Sequence, residues 1–294
     1  MAIAYLILAH QNITQLAKLI DSLTLGNQNY CFIHFDLGNY SSSKIKQLRK
    51  TTSSDSWHVI RRKMHINWGG FNMIEATLAL ILEVLNFNKF KFERLSLHSG
   101  MDFPLKDNEE IENFFKENKE KQYIEFFKLP NSENWFGNGG LDRVNYYWFI
   151  DDLGFTESYK LVRAQIMADA HKNHPEGIKR IYGGSQWFTI TSECARYIID
   201  YLNENSGIYH YFKYSYIPDE MFFQTILLNS KFKKQIVNDN LRMIDWPTGS
   251  KHPKIFETKD LNKIEESVKL FARKFDENVD SQIIQYLSRK FSTK

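Results

Sequence analysis

The strongest constraint on this fold is an alternation, across the first hundred residues, of short apolar runs with longer segments of helical period. AIAYLILAH (2–10) is apolar, only about nine residues long and followed by polar residues, which predicts a buried strand. Segment 12–25 sets Leu16, Leu19, Ile20 and Leu23 at helical spacing. YCFIHFD (30–36) predicts a second strand, and the serine-rich stretch after it caps a helix near 44–50. WHVIRR (57–62) and RLSLHSG (94–100) predict a third and a fourth strand, with an all-round apolar helix at 71–85 between them. Strands and helices in this order predict an α/β fold with a mostly parallel central sheet flanked by helices. Its business edge is the strand ends and the loops that follow them, the mark of a nucleotide-binding unit.

The remainder is less regular. A helix at 108–119 and a strand at 122–127 precede the loop PNSENWFGNGG (130–140), and loops of that length tend to carry function. The cluster Tyr146, Tyr147, Trp148 and Phe149 receives no assignment. Beyond it, Gly183-Gly184 can use positive φ either to let the backbone approach a ligand closely or to make a plain tight turn, followed by strand SQWFTIT and helices at 192–203 and 221–229. Helices at 259–271 and 281–291 close the chain. No repeat or linker interrupts it, which predicts a single domain over 1–294, divided near residue 106 into two lobes.

Composition removes several classes of function. Hydrophobic residues at 43% and charged residues at 25% describe a folded protein, and a net charge of +3 gives no case for a nucleic-acid partner. Cys31 and Cys194 sit in apolar runs and read as small buried hydrophobes in a reducing compartment. No stretch approaches the roughly 20 apolar residues of a membrane span, so the expectation is a cytoplasmic protein, with room for peripheral association at the inner face of a membrane. Aromatic residues, at 15%, exceed ordinary needs, and a minority are expected to line a cleft where flat rings stack on a sugar or a base.

Several residues could carry chemistry. Pro218-Asp219-Glu220 precedes an apolar helical run, where Asp219 could cap the helix and Glu220 fall in its first turn as a general base or as a plain dipole partner. Arg273, Lys274, Lys251 and Lys254 could neutralise a diphosphate or simply be solvated. Zinc-type spacing is missing, His171 and His174 lack acidic or thiol companions, and no Asp-x-Asp ends a strand, so no metal site is expected. Neither GxxxxGK[ST] nor GxGxxG occurs, which argues against a kinase or a Rossmann dehydrogenase.

In order, AYLILAHQN, FIHFD, INWGGFNMIEATL, LHSGMDFPLK, GGSQWFTIT, YIPDEMFFQTIL and LFARKFDENVD resemble the core-2/I-branching β-1,6-N-acetylglucosaminyltransferases and peptide O-xylosyltransferases of glycosyltransferase family 14, over nearly the whole chain. The resemblance implies a GT-A fold and an inverting, metal-independent transfer from a UDP-sugar to a carbohydrate hydroxyl, with no cofactor. The sugar would be GlcNAc first and xylose next. Glu220 takes the place of the family's general base, and Lys274 that of its diphosphate-binding basic residue; Lys251 matches a second such position, with Lys254 as its rival. His10, Asp36, Ser99 and Asp102 fall with the nucleotide in the first half, about 1–106, and Glu125, Arg143, Trp187 and Trp246 with the acceptor in the second, about 107–294. With two cysteines and no anchor, the chain resembles a bacterial-type member. Two rival readings are a glycoside hydrolase, which needs a second carboxylate, and a non-catalytic carbohydrate-binding protein.

Overall fold

A computed structural model of the chain describes residues 1–250 and 252–292. The chain forms two compact units: the first comprises Met1–Lys63, Glu83–Glu120 and the chain from Leu241 on, and the second Met64–Leu82 and Lys121–Asn240.

In the first unit, β1 (Ile3–Ala9), β2 (Tyr30–Phe35), β3 (Trp57–Val59) and β4 (Arg94–Ser99) pair in parallel in the order β3-β2-β1-β4. Each residue of β1, β2 and β4 is buried, which is why β1 and, but for His34, β2 read as apolar runs; β4 instead alternates Leu95 and Leu97 with the buried polar residues Arg94, Ser96, His98 and Ser99. Helix Ile13–Thr24 buries Leu16, Leu19, Ile20 and Leu23 as its spacing predicts. Ser41 caps helix Ser42–Thr51 by accepting the Lys44 N–H at 3.2 Å, and Asp107 with Glu110 forms a capping box on helix Asn108–Glu117. Helix Ser281–Ser292 lies where the sequence predicts one.

A second, smaller sheet in this unit joins β5 (Asp102–Pro104), β9 (Arg242–Ile244) and β10 (Phe271–Arg273), with β10 antiparallel to β5 and parallel to β9. Here the expected helix at 259–271 is corrected. Helical structure ends at Glu265, and Phe271 and Ala272, fully buried, enter the sheet as β10. Burial between two partner strands overrides the helical period of the preceding residues.

In the second unit, β6 (Gln122–Lys128) pairs antiparallel with β7 (Tyr182–Thr191) and parallel with β8 (Ile236–Val237), with an irregularity between Ile124 and Phe126. Gly183 and Gly184 lie inside β7, and neither has a positive φ, so the tight turn is absent; the glycines serve close approach. A Cβ on Gly184 would meet the Glu125 carbonyl oxygen at 1.9 Å, and one on Gly183 the Trp135 ring at 2.5 Å. Helices Ile150–Met167, Ser192–Glu204, Ser206–Lys213 and Phe222–Leu228 complete the unit, the first broken at Gly154 by a φ of 73°. Cys31 and Cys194 are buried free thiols. Among the described residues no helix is long and apolar enough to cross a membrane.

Candidate active site

In the second unit the chemistry centres on Glu220. Pro218–Glu220 forms a single 3-10 turn entered through Ile217, a β-branched residue held at φ 49°, where left-handed backbone is strained. Neighbours hold it there: the Ile217 N–H donates to the Gly69 carbonyl at 2.9 Å and the Tyr216 N–H to the Arg143 carbonyl at 2.8 Å. Gly69 itself has φ 79°, and a Cβ there would press on the Tyr216 ring at 2.8 Å. Gly69 therefore buttresses the turn that presents Glu220.

The Glu220 carboxylate accepts from Arg143 Nη1 at 2.8 Å, with side chains 31% and 18% exposed. Arg143 is locked from its other side by Trp135, whose ring centroid lies 3.8 Å from the guanidinium carbon. Trp135 in turn rests against Gly140 and Gly183, where a Cβ would collide with the indole. Burial raises the Glu220 carboxyl above its ordinary value, and the charge and hydrogen bond of Arg143 pull it back down. Asp219 is pushed up to about 7 by burial and by the negative charge of Glu220. The expectation that Asp219 caps the following helix is corrected: helix Phe222–Leu228 begins after Met221 and has no side-chain cap.

The other acceptor-side candidates separate. Glu125 is exposed at the irregularity of β6, and its Oε2 accepts from Asn240 Nδ2 at 2.7 Å. Trp187 is only 6% exposed within β7, its ring largely taken up by packing. Trp246, 57% exposed, belongs to the first unit. The unassigned aromatic cluster does acquire a place: Trp148 is buried and stacks on Tyr216 at 4.6 Å, with Phe155 and Tyr159 beside it at 6.2 Å each.

The first unit gathers most of the expected donor residues at the ends of β1, β2, β4 and β10. His10 follows β1 at the strand edge; partial burial of its ring lowers its pKa, with Asp36 and Asp276 opposing and Lys274 adding to the shift. Asp36 follows β2 directly, with Oδ1 accepting the Gly38 N–H at 2.9 Å. Ser99 Oγ accepts the Met101 N–H at 3.0 Å, which shapes the turn after β4. Gln15, fully buried, ties this edge together by donating to the carbonyls of Gly100 at 3.1 Å and Phe275 at 2.9 Å. Lys274 is half-buried, and burial followed by the charge of Arg273 lowers its ammonium pKa.

Asp102, expected near the nucleotide, turns into the protein interior. It is wholly buried, paired with Arg273 Nε at 3.1 Å and close to His98 Nδ1 at 3.2 Å. His98 Nε2 lies 2.8 Å from Ser96 Oγ, and Arg242 donates to Ser96 Oγ at 3.0 Å and to the Leu97 carbonyl at 2.7 Å. Burial and the charge of Arg242 lower His98 to about 4, so the ring is neutral at pH 7. Burial raises the Asp102 carboxyl, but the hydrogen bond to His98 and the charge of Arg273 outweigh it and leave it below its ordinary value. The network fixes the base of β5 and β10 and so positions Lys274. Lys254 runs beside Lys274, whose N–H donates to the Lys254 carbonyl at 3.3 Å, while the Lys254 ammonium pairs with Asp260 at 2.6 Å. Lys251 lies outside the described residues.

Sequence reasoning singled out Glu220, Lys274 and Arg273 but gave no role to Trp135, Asp151 or Arg242. Asp151 accepts the N–H groups of Phe71 at 2.6 Å and Asn72 at 3.1 Å, serving the start of helix Asn72–Leu85, and Gly70 leaves room for its carboxylate.

With this geometry in view, the model of the family described as "Core-2/I-Branching enzyme" matches residues 3–267, and the chain belongs to that family. Among individual relatives, xylosyltransferase 2 of Canis lupus familiaris is 26% identical over 97% of this chain and 33% of its own length. A xylosyltransferase of Ciona intestinalis is 24% identical over 98% of this chain and 34% of its own. The chain thus spans about a third of the length of these relatives. The solved structure of a galactosyltransferase, LgtC, with donor and acceptor sugar analogues aligns over 100% of this chain and 97% of its own, with 10% identity and a TM-score of 0.48.

Proposed function

We propose that the chain is an inverting glycosyltransferase of GT-A type that transfers a sugar from a UDP-sugar to a carbohydrate hydroxyl without a divalent cation. The observation that carries this reading is Glu220, a carboxylate raised by burial, partly exposed and held by Arg143 at 2.8 Å on a strained turn. Such a group is ionised when it must accept a proton and basic enough to take one. Glu220 takes the proton of the acceptor hydroxyl as its oxygen bonds to C1 of the sugar. The bond from C1 to the diphosphate oxygen breaks, and its electron pair leaves on UDP. Lys274, assisted by Lys251 or Lys254, offsets that charge, a contribution of roughly 3 kcal/mol for a preorganised cation.

The relatives' names support UDP-xylose as the first donor to try, with UDP-GlcNAc beside it. We place the activity in the synthesis of a surface polysaccharide or other glycan, on the cytoplasmic side. UDP release is measured from a panel of UDP-sugars in excess EDTA, with and without sugar acceptors; release only after Mn²⁺ is restored sinks the roles given to the lysines. Glu220→Gln should keep donor binding and lose about 10²-fold or more in turnover.

A hydrolase is the second reading, favoured by Asp219, whose carboxyl at about 7 beside Glu220 gives an acid next to a base. Sugar release independent of added acceptor would select it.

A further inference from the structure

We propose that Lys172 is a positioning residue that holds the segment carrying Arg143 in register with the segment carrying Glu220. The inference rests on the reading of Glu220 as the base. Lys172 is 8% exposed, and no carboxylate pairs with it among the described residues. Instead its Nζ donates to the carbonyls of Tyr211 and Tyr214 and to Ser215 Oγ, each at 2.8 Å, and lies 4.2 Å from the centroid of the Tyr211 ring. Burial lowers the ammonium to about 7, and these three oxygens replace the water it has lost. The carbonyls belong to the end of helix Ser206–Lys213, where the last turn leaves acceptors unused by the helix.

The backbone of the same residue holds the other segment. The Lys172 N–H donates to the Asn145 carbonyl at 2.7 Å, two residues from Arg143. A closed circuit results: Asn145 to Lys172, Lys172 to Tyr214 and Ser215, Tyr216 N–H to the Arg143 carbonyl, and Arg143 to the Glu220 carboxylate. An apolar side chain of the same length would fill the space but remove all three bonds to the ammonium, leaving, among the described residues, the Tyr211 carbonyl with the Ser215 hydroxyl alone and the Tyr214 carbonyl with the Trp148 N–H alone. Ile217, in left-handed backbone, is the point at which strain would be released if the circuit slackened.

The test uses the full chain with Lys172→Met and, as a milder cut that removes one acceptor, Ser215→Ala. In Lys172→Met, kcat should fall about tenfold or more, as misplacement of a reacting group by a fraction of an ångström does, while KM for the donor moves less than about twofold. The acid limb of its pH–rate profile should shift toward higher pH, the direction that loosening of Arg143 from Glu220 produces. Hydrogen exchange at the Tyr216 and Ile217 amides should quicken. A folded Lys172→Met protein with unchanged kcat, acid limb and exchange overturns the proposal. If that variant does not fold, unchanged exchange at both amides in Ser215→Ala overturns it, and a rise of about threefold or more supports it. Glu220→Gln is measured in parallel: full activity there removes the base assignment, while the exchange comparison still decides the role of Lys172.

Discussion

Arg143→Met separates two roles for the same guanidinium. Its Nη1 sits 2.8 Å from Glu220 Oε2, with both side chains partly exposed, so the full strength of a buried pair does not apply. Discounted for solvent, a charge-assisted hydrogen bond of this kind contributes about 1–2 kcal/mol, roughly a 5- to 30-fold effect on the equilibrium between carboxylate and carboxylic acid. Arg143 favours the carboxylate against burial, so its removal raises the carboxyl further. The base is then protonated over a wider pH range: kcat/KM at the acid end falls by about that factor, and the alkaline plateau is little changed. Initial rates of UDP release at acceptor concentrations well below KM, followed from about pH 5 to 9, read this directly. Arg143→Lys, which keeps the charge, should restore part of the acid limb but lose the stack on Trp135 at 3.8 Å. If the plateau collapses and the acid limb stays in place, Arg143 serves the acceptor and does not tune the base.

Three further variants test the frame around the site. Asp102→Asn leaves Arg273 buried without its carboxylate and should destabilise the fold by about 3–5 kcal/mol, seen as a lower urea midpoint. Gly184→Ala sets a methyl 1.9 Å from the Glu125 carbonyl oxygen; since backbone cannot yield cheaply, the loss should be about 3 kcal/mol or more, whereas an equal urea midpoint would show that β6 can shift. Asp219 has a folded pKa of about 7 against 3.8, so between these values the folded state keeps a proton that the unfolded chain has shed, and wild-type stability falls as pH rises through that window. Discounted for its partial exposure and its coupling to Glu220, this amounts to about 1–2 kcal/mol, and Asp219→Asn should flatten the decline; parallel pH–stability curves would refute the burial of this carboxyl.

The parallel sheet was legible because burial on both faces leaves a local mark. β1 and most of β2 are apolar runs, and Leu16, Leu19, Ile20 and Leu23 repeat at the helical period, so neither depends on knowing a distant neighbour. β10 carried no such mark. Its three residues become a strand only because β5 and β9 bracket them, and those lie far away in sequence.

The candidate site divides in the same way. Proline before two acids, or two bases in FARKFD, announces charge at a turn or a strand end, and that much is local. What each charge does is set by a partner elsewhere: Arg143 stands 77 residues from Glu220, and Asp102 stands 171 from Arg273. The neighbouring bases of FARKFD show the consequence. Arg273, the last residue of β10, turns into the buried network with Asp102, while Lys274 after it stays half-exposed. Adjacent cations thus take opposite settings, one paired within the buried network and one left half-exposed. No rule based on residue type alone could have assigned them, because the choice follows from which side of β10 is covered.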